Sequence, residues 1–255
     1  MTPSPLPLLV HQGPGEVILP ILLYHHVLES SLVNPYTLAP AQFEAQMRLL
    51  WERGYRTISV AQFLTALESG TDLPICPVLI TFDDGDEDVY TQALPILQRY
   101  GFTATVYLVV DYLDKPGFLR LDQVQSLLEA GWEVGSHSLS HPDLTHVDVG
   151  RVWEEVAGSR ARLEALLGVP ITTFAYPYGS AYPQILKKVR AAGYQAGMGL
   201  GLSYRHSPGS RFYLSRRPIE ARTTLAEFAN LLPWHTCGEK TRTTISGSTP
   251  SLPLH

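Results

Sequence analysis

Short apolar runs alternate with amphipathic stretches along most of the chain. Residues 18–24 predict a buried strand, and Phe43, Met47, Leu50 and Trp51 then recur at the spacing of a helix face. Ser59-Val-Ala-Gln62 has the form of a capping box, in which a serine oxygen accepts an orphan amide and a glutamine reaches back, and it opens a helix ending near Gly70. The pattern continues with a strand over 78–82, a helix over 90–100 stopped by Gly101, and a β-branched, aromatic strand over 103–109. A helix over 121–130, a strand over 133–136, a long helix over 149–167 closed by Gly168, and a strand over 172–176 follow. A helix over 183–192 closed by Gly193, a glycine-rich strand over 195–200 and a strand over 214–219 come next. Thr224-Leu-Ala-Glu227 is a second capping box and opens a last helix to about residue 232.

Strands that alternate with helices predict parallel strands joined by right-handed crossovers. About seven such units close into a distorted (β/α)7-8 barrel more readily than they lie flat, so the expected fold class is α/β with that architecture. A doubly wound sheet is the structural rival, but no strand is followed by the glycine fingerprint of a dinucleotide fold. The expected layout is an N-terminal extension over 1–17, one domain over 18–235, and a Ser-, Thr-, Gly- and Pro-rich tail over 236–255 read as disordered.

Composition narrows the class. With 45% hydrophobic and 17% charged residues, the 255-residue chain reads as globular. A net charge of -5 argues against a nucleic-acid binder, which needs a basic stripe to neutralise phosphates. The two cysteines, Cys76 and Cys237, form no CxxC motif, and two free thiols are expected. No apolar run reaches the 18 residues of a membrane span, and residues 1–14 lack the basic start of a signal peptide.

Polar residues collect at the carboxyl ends of the predicted strands, the face on which barrels build active sites. Tyr24-His25-His26 ends one, Asp83-Asp84 another, Ser136-His137 a third, and Tyr176-Pro-Tyr178-Gly179 a fourth. His137 and His141, four apart, can reach one ion, and an aspartate from another strand would complete a His-His-carboxylate set with open positions. Of two adjacent carboxylates, one can hold a metal while the other takes a proton from water. A backbone N–H in the Pro-Tyr-Gly turn can face a developing oxyanion. Each fragment alone has an ordinary reading: a solvated loop, a turn composition, a proline–glycine turn. Tyr36, Tyr112, Trp132, Tyr182 and Tyr204 could stack on sugar rings, though core or surface packing is the ordinary role of such residues.

Taken in order, these fragments resemble the NodB-type polysaccharide deacetylases, carbohydrate esterase family four, over roughly residues 18–233. Thr81-Phe-Asp-Asp-Gly85 matches the first family motif, His137-Ser-Leu-Ser-His141-Pro-Asp-Leu144 the second, and Phe174-Ala-Tyr-Pro-Tyr-Gly179 is similar to the third. The resemblance implies removal of N-acetyl groups from an N-acetylglucosamine-containing polysaccharide, with release of acetate. It implies Asp83 as general base and Asp84, His137 and His141 as ligands of one divalent metal, zinc foremost, with cobalt, nickel or iron(II) as alternatives. The Tyr178 backbone would stabilise the oxyanion, with Tyr176 a further substrate-side candidate.

The chain departs from the common pattern twice. Ala175 replaces the usual base-positioning arginine, and no late Leu-His-Asp motif is present. Both departures resemble the circularly permuted poly-β-1,6-N-acetylglucosamine deacetylases, in which the acid histidine comes from an early Tyr-His motif. That implies His25 as general acid, with His26 standing where a carboxylate is common. Strand alternation sends His25 and His26 to opposite faces. Arg216, in Ser-Arg-Arg-Pro-Ile, fits the same pattern and is the candidate for the missing arginine's task; a surface salt bridge is its ordinary reading. An amino-sugar polymer is the expected partner of a monomer. The family's usual place at or outside the cell envelope leaves the compartment open.

Overall fold

The computed structural model describes residues 8–29 and 34–237. Its centre is a curled parallel sheet in a mixed α/β fold. The strands run in the order Ala196–Met198, Thr173–Ala175, Glu133–Ser136, Thr105–Leu108, Pro77–Phe82, Ile21–Tyr24, Arg217–Pro218. Every neighbouring pair in that path is parallel. Arg56–Thr57 adds a short parallel branch on Pro77–Phe82. A bridge from Met198 to Leu214 brings the approach to the last strand against the first, so the sheet curls toward closure.

Alternation along these strands makes two apolar layers. Ile21, Leu79, Tyr107, Ala175, Met198 and Leu214 belong to one cluster with Phe63, Leu64 and Leu67 of the helix Val60–Ser69. Leu22, Tyr24, Ile80, Phe82, Val106 and Phe174 belong to the other, which lies against helices such as Pro40–Glu52 and Leu121–Glu129. Because both faces are covered, all six residues of Pro77–Phe82 are buried, the reason such strands read as continuous apolar runs.

Helix ends follow the local chemistry expected of them. Ser59 accepts from the Gln62 amide while Gln62 accepts from the Ser59 amide, and Thr224 and Glu227 do the same at Leu225–Asn230. Gly101 and Gly168 end their helices in the left-handed conformation. Two helices expected to be continuous contain π-helical turns, Val89–Ala93 and Glu154–Gly158. A π turn takes in one extra residue and rotates the side chains beyond it, a change apolar periodicity does not register.

Ahead of residue 18, Leu9–Gln12 forms an antiparallel ladder with Thr71–Pro74, and Val17 pairs with His206. One expectation is corrected. Cys76 and Cys237 are not free thiols but a disulfide, with Cα atoms 5.9 Å apart across 161 positions of sequence. Tertiary packing brings them together: Cys237 donates its amide to Arg53 O, and the Trp234 carbonyl accepts from the Tyr55 hydroxyl at 2.8 Å. Cys237 is therefore part of the packed structure, and the rest of the expected tail, 238–255, lies outside the described residues. Among the described residues no helix is long and apolar enough to cross a membrane.

Candidate active site

The same alternation aims the polar residues at one point. On Pro77–Phe82, Leu79 and Thr81 face inward and Ile80 and Phe82 outward, so the next residue, Asp83, also faces inward. The rule sends His25 in after Leu23 and His137 in after Gly135. A cavity of about 260 Å³ results, lined by Leu23, His25, Tyr36, Asp83, Asp84, His137, His141, Tyr178, Gly179, Leu200, Arg216, Pro218 and Glu220.

On one side of this cavity, ligand atoms of Asp84, His137 and His141 lie within 4.8 Å of one another. The two Nε2 atoms are 3.2 Å apart, and Asp84 Oδ1 is 3.6 Å from that of His137 and 3.3 Å from that of His141. Donors about 2.0–2.1 Å from a tetrahedral ion sit roughly 3.3–3.4 Å apart, so these edges fit such an ion. The His137 tautomer fits too: its Nδ1 is 2.8 Å from the Ala175 carbonyl, which can only accept, leaving Nε2 as a lone pair facing the cavity. Burial, then the neighbouring His137, lowers the pKa of His141, which favours the neutral ligand form.

The backbone here is unusual. Asp84, Ser138, His141 and Tyr178 all have positive φ, a conformation that costs non-glycine residues energy and persists where the surroundings enforce it. Ser138 Oγ accepts from the His141 amide at 2.9 Å, which closes the turn between the two histidines.

Beside this cluster, Asp83 is buried against Arg216, with its Oδ2 3.7 Å from His137 Nε2. The Nη1–Oδ1 and Nη2–Oδ2 distances are 2.6 and 2.7 Å. Arg216 is fully buried, not a surface residue; its Nε donates to Gly199 O and its guanidinium lies 5.4 Å over the Tyr107 ring. Burial alone would raise the Asp83 pKa, but Arg216, His137 and His25 outweigh it and hold the carboxyl at about 2.

His25 lines the cavity with its ring 4.7 Å from that of Tyr36, and its buried Nδ1 meets no hydrogen-bond partner among the described residues. Burial lowers its pKa, while Asp83 and Asp84 oppose that shift. His26 turns the other way. Its Nδ1 sits 3.0 Å from Asp88 and 3.3 Å from Asp86, and the hydrogen bond to Asp88 raises its pKa. Asp88 also accepts from the Val27 amide, which ties this segment to the loop after Asp84.

Tyr178 stands at the rim, 63% exposed, its ring 4.8 Å from that of His141. Gly179 beside it has φ +67, and a Cβ there would lie 2.3 Å from Leu200, so only glycine fits. Tyr176 does not reach the cavity. Alternation puts Ala175 on the inner face and turns Tyr176 outward, where its hydroxyl donates to Phe212 O at 2.7 Å. Of the five candidate stacking aromatics, Tyr36 lines the cavity, whereas Trp132 is buried against Phe82. Sequence reading missed Leu23, Leu200, Pro218 and Glu220 as lining residues. Leu23 was within reach, being two residues before His25; the others depend on how the sheet closes.

The family model for polysaccharide deacetylase matches residues 72–197. YxkH of Bacillus subtilis, assigned to the polysaccharide deacetylases, is 30% identical over 180 residues, covering 71% of this chain and 63% of its own length. The chain thus spans less than two thirds of that relative. The poly-β-1,6-N-acetyl-D-glucosamine N-deacetylase of Staphylococcus aureus (strain MRSA252) is 25% identical over 206 residues, covering 70% of this chain and 71% of that protein. The crystal structure of a polysaccharide deacetylase from Bacillus cereus superposes with a TM-score of 0.74 at 26% identity, covering 85% of this chain and 69% of that one.

Proposed function

The chain belongs to the polysaccharide deacetylase family through its domain over residues 72–197, and on that premise we propose that it removes N-acetyl groups from an N-acetylglucosamine-containing polysaccharide, releasing acetate. The relative named for poly-β-1,6-N-acetyl-D-glucosamine supports that polymer as the first substrate to try. The observation that carries the reading is one cavity that holds a three-donor cluster with a buried carboxylate, Asp83, beside it, and the imidazole of His25.

Asp84, His137 and His141 would hold one divalent ion, zinc by the chemistry of two imidazoles and a carboxylate. Such an ion, when bound, polarises a carbonyl and lowers the pKa of water toward ~7. Asp83, held by Arg216, takes the proton of the attacking water, whose oxygen joins the acetyl carbon. The Tyr178 amide donates to the carbonyl oxygen as negative charge gathers there. The carbon–nitrogen bond then breaks, His25 supplies a proton to the departing sugar nitrogen, and acetate and a free amine result. Arg216 does the work assigned elsewhere in the family to the arginine that Ala175 replaces.

A substrate panel with zinc-loaded protein tests this. Acetate should appear from poly-β-1,6-N-acetylglucosamine or chitooligosaccharides in preference to acetylated xylan and small amides. No release from any N-acetylated sugar polymer would overturn the proposal.

A further inference from the structure

Glu155 is fully buried, nowhere in the cavity, and yet saturated with hydrogen bonds. Its Oε2 accepts from the backbone amides of Leu139 and Ser140 at 2.8 and 2.9 Å. Its Oε1 accepts from Ser140 Oγ at 2.7 Å and pairs with Arg151 at 2.5 Å. Leu139 and Ser140 lie between His137 and His141. That five-residue turn carries positive φ at Ser138 and His141, a conformation that non-glycine residues keep only where the surroundings enforce it.

The π turn Glu154–Gly158 is where Glu155 sits, and turns of this kind recur at functional positions. Gly158 completes the clamp: a Cβ there would lie 3.1 Å from Leu139 Cδ1. A buried carboxylate carries a heavy desolvation penalty unless its lone pairs are filled. Here they are filled by the turn that joins the two histidines and by one arginine.

We infer that Glu155 is a positioning residue for the metal site, setting the separation of His137 and His141; this rests on the proposal that those residues and Asp84 bind a cation. His137 is fixed independently, by its amide to Leu108 O and by its Nδ1 to Ala175 O. Among the described residues, the His141 backbone is anchored within the turn itself, its amide donating to Ser138 Oγ at 2.9 Å, so it takes its place from the turn. Loss of Glu155 therefore moves one ligand relative to the other without unmaking the strand beneath.

The test is zinc affinity, by competition titration, of wild type, Glu155→Gln and Ser140→Ala, alongside far-UV circular dichroism and the melting temperature of the zinc-free proteins. Glu155→Gln keeps the volume but turns an N–H2 toward donors. It should weaken zinc binding about 10–100-fold and lower kcat with KM near wild type. Ser140→Ala should weaken zinc binding less. A purely structural carboxylate would lower the melting temperature and leave the zinc affinity of the folded protein unmoved, and that result overturns the inference. If Glu155→Gln does not fold, an unchanged zinc affinity in Ser140→Ala overturns it instead. Wild type that binds no divalent cation would overturn the metal reading itself, before any variant is compared.

Discussion

Arg216 meets Asp83 in a two-pronged ion pair, at 2.6 and 2.7 Å, with both side chains closed off from solvent. The two residues lie 133 positions apart, and the pair forms because the segment through Arg216 returns beside Ile21–Tyr24, the neighbour of the strand Pro77–Phe82 that leads into Asp83. The fork fixes the plane of the carboxylate as well as its charge, which lysine cannot do.

Replacing Arg216 with methionine should therefore leave a buried carboxylate without its counter-charge, at a cost of about 3–5 kcal/mol. With arginine present Asp83 stays ionised down to about pH 2; without it, burial dominates and the pKa rises. The acid limb of the kcat/KM profile should shift to higher pH, and urea melts should show the loss of stability. A profile and midpoint equal to wild type would remove Arg216 from the proposed mechanism.

The proposed base and acid should separate from the metal ligands in one pair of measurements. Asp83→Asn and His25→Gln should each lower kcat by about 10²–10⁴-fold while zinc affinity stays within a few-fold of wild type. His141→Ala, by contrast, should lose zinc and activity together. Zinc binding that collapses in His25→Gln would place His25 among the ligands.

How much of this was legible in the chain depends on the distance over which each feature is decided. Capping boxes at Ser59 and Thr224 and the glycine stops at Gly101 and Gly168 are settled within one turn, and all were readable. Period-two alternation separated His25 from His26 onto opposite faces, the family resemblance pointed to His25, and the same alternation turns Tyr176 outward after Ala175. The π turn at Glu154–Gly158 leaves the apolar spacing almost unchanged and was invisible. The disulfide, the Leu9–Gln12 ladder and the burial of Arg216 depend on long-range closure, which local pattern does not encode.

The Cys76–Cys237 bridge anchors the segment around Trp234 beside the amino end of Pro77–Phe82, whereas the cavity lies at the carboxyl end of that strand. Reduction, or the double substitution to serine, should cost a few kcal/mol, ~2–4, as a lower melting temperature. Zinc affinity and kcat at 25 °C should not change. An equal loss of activity would show that the far end of the barrel is coupled to the cavity.

His206 gives the protein an acid-sensitive term remote from the proposed chemistry. It is buried, bonded through Nε2 to Leu19 O at 3.2 Å and packed edge-on to Phe63, and burial lowers its pKa to about 4. The unfolded chain takes up a proton near pH 6.5, while the folded protein does so only near 4. Between those values the unfolded state holds more protons, so stability falls as pH falls. The whole shift corresponds to roughly 3 kcal/mol, lost progressively from about pH 6.5 to 4. His206→Gln keeps a donor for Leu19 O and cannot be protonated, so it should flatten that part of the stability curve. Urea melts of both proteins across this window decide it, and parallel curves would mean that the acid sensitivity arises elsewhere.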